Sequence, residues 1–182
     1  MKLFAIYLGG RAPKCNTELH DVVFAAGHAI EDTYEQLLAQ WFGDPQRLHL
    51  DSWRELDVID GHRITLTTAK PAGANQLYFI NLGAYRDGTF AEIHANAFIV
   101  AASAPAAKQR AKAECLRGWN GPVHTDDLYD IDDCIAIAQV NKLHIALNPT
   151  DAASQTRFAN GYHPIPKTVI ADYLRRNSGE KG

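Results

Sequence analysis

Glu18 and His20 stand two residues apart in Thr-Glu-Leu-His-Asp-Val-Val-Phe, residues 17–24, and Glu92 and His94 repeat that spacing in Ala-Glu-Ile-His-Ala-Asn-Ala-Phe, residues 91–98. In an extended chain, residues two apart project to one face, so each carboxylate travels with its imidazole. A second pair follows in each half, His49 with Asp51 and His124 with Asp126. The sequence therefore offers two sets of two imidazoles and two carboxylates. These eight residues are the candidate ligand-binding set, with His20, His49, His94 and His124 as its nitrogen donors. Such a set suits a divalent transition metal, because imidazole favours zinc, iron, nickel or copper and a carboxylate neutralises charge. It equally suits structural pairing, in which each carboxylate accepts a hydrogen bond from a neighbouring imidazole.

The other residue types able to do chemistry are scattered. Gly9-Gly10-Arg11 with Lys14 resembles an anion cradle, yet no Walker spacing follows, and a turn with basic decoration accounts for it. Cys15 lies in the same loop as a lone thiol. Trp41, Phe42 and Trp53 read as aromatic core rather than as a pocket wall.

The elements that must hold these residues are written twice. Leu3-Phe4-Ala5-Ile6-Tyr7-Leu8-Gly9 overlies Leu77-Tyr78-Phe79-Ile80-Asn81-Leu82-Gly83 at a shift of 74, the shift that also carries Glu18 to Glu92 and Phe24 to Phe98. From Gly43 and Gly118 onward the shift becomes 75, which sets His49 on His124, Asp51 on Asp126 and Leu56-Asp57 on Ile131-Asp132. A turn match, Asp60-Gly61 on Asn141-Lys142, needs a shift of 81. Self-similarity at such a period marks a duplicated supersecondary unit.

Within each copy the pattern reads strand, strand, helix and hairpin. Tyr34, Leu37, Leu38 and Trp41 form one apolar helical stripe, with Gly43 placed to stop it. In the second copy Ala104, Ala107, Ala111 and Cys115 form a slimmer stripe behind Ser103 as N-cap. Residues 160–166 read as a turn-rich connector, followed by a helix with Val169, Ile170, Tyr173 and Leu174 on one side and Arg175-Arg176 at its end. The expected architecture is α+β: an internal duplication of a β-β-α-β-β unit with mainly antiparallel sheet, plus a C-terminal helix. It is expected to form a single pseudo-symmetric domain over 1–182. Repeat 1 spans about 1–70, repeat 2 about 75–150, and an extension 151–182.

Composition narrows the function classes. With 46% hydrophobic and 21% charged residues the chain is ordinary globular protein, and a net charge of -3 lacks the basic surface of a nucleic-acid binder. Three cysteines, Cys15, Cys115 and Cys134, form no metal or redox motif and read as free thiols of a reducing compartment. No secretory leader or membrane-length apolar run is evident, so a cytoplasmic protein with no membrane partner is expected.

Leu-Gly-Gly, Glu-Leu-His-Asp-Val-Val-Phe, the Ile-Glu-Asp-Thr-Tyr helix start, Trp41-Phe42-Gly43 and Leu48-His49-Leu50-Asp51-Ser52-Trp53 together resemble a bacterial domain-of-unknown-function family whose members carry one or two copies of such a unit. The resemblance covers about residues 1–150 and implies the two-copy organisation, with no catalytic role carried to any residue. Three functions follow from the residues. The first is a small-ligand or divalent-metal binding protein at the matched Glu, His and Asp positions. The second is a hydrolase that resembles the two-histidine phosphoesterases, although Asp51, Asp126, Val22 and Asn96 stand where that pattern has a hydroxyl. The third is a structural or interaction module, a homo-oligomer through its C-terminal helix.

Overall fold

Lys2–Gly10 is a run of apolar residues buried on both faces, with Leu3 and Ala5 on one and Phe4, Ile6 and Leu8 on the other, the mark of a central strand, and this segment is β1. The computed structural model describes residues 1–85, 87–116, 130–155 and 157–178. β2 (Leu19–Gly27) and β3 (His49–Leu56) pair antiparallel with β1 on its two sides. β11 (Phe158–Pro164) adds beyond β3, giving the order β11-β3-β1-β2.

A single 3-10 turn, Ile30–Thr33, leads into α1 (Tyr34–Gln40). The turn is closed by Asp32, whose carboxylate accepts from the backbone N–H groups of His28 and Ala29 at 2.8 and 3.0 Å. The Ala29 and His28 hydrogen bonds lower the Asp32 pKa. Leu37 and Leu38 of α1 and Ile170 of α3 (Lys167–Asn177) cover the Phe4, Ile6 and Leu8 face. Each such leucine contributes roughly 1.5–3 kcal/mol when fully buried. Trp41 leaves the helix in extended conformation, yet its ring stays in the same core. The apolar side of α3 is thus used within its own unit, and Arg176 pairs with Glu35 of α1 at 2.6 Å.

Compactness divides the chain into one unit of Met1–Asp57, Val140–Leu143 and Ser154–Gly182, and a second of Val58–Gln139 and His144–Ala153. In the second unit β6 (Gln76–Tyr85) lies between β7 (Glu92–Ala101) and β8 (Asp130–Ile137). Tyr78, Ile80 and Leu82 pack beneath α2 (Ala104–Leu116), whose Ala107 and Ala111 are fully buried. Ser103 caps this helix: its Oγ accepts from Ala106 N–H and its carbonyl from Ala107 N–H. A further sheet runs β4 (Val58–Ile59), β5 (His62–Thr67), β10 (Leu143–Pro149), β9 (Gln139–Val140). Both hairpin turns, Asp60-Gly61 and Asn141-Lys142, have positive φ at their two central residues, the backbone that matches the twist of paired strands.

The fold is α+β with antiparallel sheets and a C-terminal helix. Among the described residues no helix is long and apolar enough to cross a membrane. Two expectations need correction. Residues 160–166 are mostly strand β11, because the extended Asn160 and His163 pair with Ser52 and Leu50 despite the glycine and proline around them. The shift of 75 is also replaced. β1 and β2 match β6 and β7 at 74, as in Leu3↔Ala26 and Leu77↔Val100, but β3 matches β8 at 81, since Leu56 faces Leu3 and Ile137 faces Leu77. Both central strands carry a register irregularity at the same place, between Tyr7 and Leu8 and between Asn81 and Leu82.

Candidate functional site

The face of the first sheet away from α1 and α3 carries Leu3, Ala5, Tyr7 and Gly9 of β1. Gly9 pairs with His20 on one side and His49 on the other, so both imidazoles flank a position without a side chain. A Cβ built at Gly9 would lie 2.5 Å from both Asp51 Oδ2 and His49 Nε2. Glycine is required here for close approach.

Asp51 reaches this row because β3 is bulged. Ser52 pairs with Tyr7 and Leu50 with Leu8, leaving Asp51 as the extra residue opposite β1. On its other side β11 is also irregular between Asn160 and His163. Bulges of this kind re-aim a side chain. Here the bulge brings a carboxylate beside two imidazoles.

Glu18, directly before β2, completes the cluster. His49 Nε2 lies 3.1 Å from Glu18 Oε1 and 3.3 Å from Asp51 Oδ1, while His20 Nε2 lies 3.3 Å from Asp51 Oδ2 and 3.8 Å from Glu18 Oε2. Each carboxylate reaches both imidazoles. Among the described residues no group of three or more His, Cys, Asp or Glu is placed to hold a metal ion. The contacts run pairwise around the cluster.

The His49 tautomer follows from its other nitrogen. Nδ1 lies 3.1 Å from the Arg47 carbonyl, which only accepts, so Nδ1 carries a proton. The neutral ring then presents an Nε2 lone pair to two carboxylate oxygens. His49 is only 3% exposed, so its Nε2 faces the Glu18 and Asp51 carboxylates from a largely buried position. Asp51 Oδ2 is buried, and its 3.3 Å contact with His20 Nε2 lacks the geometry of a hydrogen bond.

Two tyrosines frame the imidazoles. Tyr7 stacks on His20 with ring centroids 5.4 Å apart, and burial, then the Asp51 charge, raises its phenol pKa. Tyr162 of β11 lies against His49 at 4.5 Å. Sequence reading missed both. The signal for Tyr7 was its place two residues before Gly9 on the same strand face; Tyr162 carried none, since its segment reads as a turn.

The matched residues of the second unit behave differently. Glu92 and His94 lie 3.6 Å apart, and His94 pairs with Gly83 as His20 does with Gly9. The strand position opposite Gly83 on the other side is Asp130, and the extra residue at the irregularity is Asp132. By register these, rather than residues 124 and 126, correspond to His49 and Asp51. His124 and Asp126 lie outside the described residues. Within the first unit His20 and His49 are brought to the same two carboxylates.

The cluster of Glu18, His20, His49 and Asp51 lies within residues 15–66, the stretch that matches the family model Domain of Unknown Function (DUF1543). Over nearly its whole length the chain is similar to the crystal structure of a protein Il1583 from Idiomarina loihiensis, at 35% identity and a TM-score of 0.71, covering 91% of this chain and 98% of that one. The chain belongs to the family of that protein. No curated protein matches it.

Proposed function

We propose that the protein binds a divalent transition-metal ion at Glu18, His20, His49 and Asp51. The observation that carries this reading is the placement of His49, whose Nδ1 lies 3.1 Å from the Arg47 carbonyl while Nε2 faces the Glu18 and Asp51 carboxylates. That second-shell bond to a carbonyl is the usual device for aiming a metal-binding imidazole. The donor separations of 3.1–3.8 Å are close to the edge of a tetrahedron built from bonds of 2.0–2.1 Å, about 3.3 Å. Two imidazoles select zinc, iron, nickel or copper over magnesium and calcium, which prefer all-oxygen sites.

The shared strand order, registers and bulge positions support descent of both strand triplets from one module. The reading is confined to the first triplet, because the second exchanges the His49 position for Asp130.

The test is metal analysis of protein purified without supplementation, followed by calorimetric titration with Zn²⁺ and Ni²⁺. One equivalent is expected in the wild type and none in His20→Ala or His49→Ala. A wild type that neither retains nor takes up either ion contradicts the proposal.

A further inference from the structure

β2 is an edge of the first sheet, and an edge strand turns every second N–H and C=O outward as a template for another chain. On β2 the outward residues include Val22, Phe24 and Ala26, and a side chain engages each of them. Gln36 of α1 holds both groups of Ala26: its Oε1 accepts from the Ala26 N–H at 3.0 Å, and its Nε2 donates to the Ala26 carbonyl at 2.7 Å. A neighbouring strand makes that same two-bond exchange with one residue, and here a single primary amide makes it. Gln40 Nε2 donates to the Phe24 carbonyl at 3.2 Å, and the Asp21 carboxylate accepts from the Val22 N–H at 2.7 Å.

The second unit does the same with different groups. Arg110 of α2 stands at the place of Gln36, and Val100 of β7 at the place of Ala26, both at the shift of 74 that relates the strands. A guanidinium only donates, so two residues are needed. Arg110 Nη1 donates to the Val100 carbonyl at 3.0 Å, while Asp60 Oδ2, 2.8 Å from that nitrogen, accepts from the Val100 N–H at 2.7 Å. One strand position is thus held from one helix position in both units, by an amide in the first and by an ion pair in the second. Beyond it the units part. Glu114 stands at the place of Gln40 and binds Arg110, and Ala95 stands at the place of Asp21, so the longer seal belongs to β2.

We infer that Gln36, with Gln40 and Asp21 beside it, closes the β2 edge to strand addition by a second copy of this chain. A second copy is the occupant that fits, because β2 laid antiparallel on β2 about a two-fold axis gives each strand the same outward groups to exchange. Ala26 is almost fully buried, so the amide also satisfies backbone groups hidden from water. Satisfaction alone predicts a loss of stability when the amide is removed; closure predicts a new contact.

Sedimentation velocity of the full chain over a concentration series separates the two. Gln36→Ala keeps a good helix former in α1 and leaves the Ala26 groups open, and it is expected to self-associate about tenfold more tightly than the wild type. Val22→Pro added to Gln36→Ala is expected to restore wild-type sedimentation, because it removes an outward N–H and costs the β1 ladder no bond. A Gln36→Ala protein that sediments like the wild type at every concentration, whatever its melting temperature, overturns the inference. Association that Val22→Pro leaves in place overturns it as well, since the contact then forms away from the β2 edge.

Discussion

The row through Gly9 and the row through Gly83 are built alike and end differently. In the first, glycine sits between His20 and His49, Tyr7 packs on His20, and a bulge delivers Asp51. In the second, glycine sits between His94 and Asp130, and the Tyr7 position is Asn81, whose amide donates to Asn96 at 2.8 Å. An aromatic neighbour lowers the local dielectric and strengthens charge interactions beside it; a pair of exposed amides does not. The difference shows that strand order and bulge fix where polar groups gather, while a few side chains decide what they hold.

That comparison breaks most easily at Gly9. Gly9→Val places a branched side chain where His49 Nε2 and Asp51 Oδ2 lie, and is expected to lower stability by about 2–3 kcal/mol and abolish metal uptake. An unchanged denaturation midpoint would show that the row is looser than described. His49→Ala comes next, at about 2 kcal/mol, because it leaves the Arg47 carbonyl and two carboxylates without their buried partner. His94→Ala, at a partly exposed position, is expected to cost below about 0.5 kcal/mol and leave metal content intact. Equal effects from the two would erase the distinction between the rows.

The comparison sharpens in the other direction with Asp130→His, which recreates the first row's residue types at the second. The expected result is a rise from one bound equivalent of Ni²⁺ to two, read by calorimetry. A stoichiometry that stays at one would show that register alone does not make the site.

The smallest effect concerns how each triplet meets its helix. Asp32, a charged group with a lowered pKa, closes the first junction, and Ser103, a neutral hydroxyl, closes the second. A depressed folded-state pKa contributes stability that is present above the unfolded value and is lost as pH falls through the folded one. Asp32→Asn should therefore lower the melting temperature near pH 7, with the deficit shrinking as acid protonates the Asp32 carboxylate. Ser103→Ala should give the same deficit at neutral and acid pH. A pH-independent Asp32→Asn deficit would mean that its carboxylate charge contributes nothing.

Much of this was legible in the sequence. The Leu37 and Leu38 stripe, the Ser103 cap and the C-terminal amphipathic helix each follow from local pattern, and local pattern governs elements whose neighbours are near in the chain. The i, i+2 spacing of Glu18 with His20 and of His49 with Asp51 placed each pair on one face. That the two pairs meet depends on β1 lying between β2 and β3, a long-range pairing that no spacing encodes. Tyr162 was hidden for the same reason, since β11 joins β3 from more than a hundred residues away. By strand register the position of His49 in the second triplet is taken by Asp130, at the shift of 81 that the paired turns also display, whereas His124 and Asp126 lie outside the described residues.

The most direct test is long-range ¹H–¹⁵N correlation of the imidazole nitrogens during titration with Zn²⁺. The account predicts that His49 keeps its proton on Nδ1 throughout, and that Nε2 of His49 and of His20 shift together and saturate at one equivalent while His94 stays unmoved. Nε2 resonances of His20 and His49 that do not respond to zinc, with a proton remaining on His49 Nε2, would contradict it.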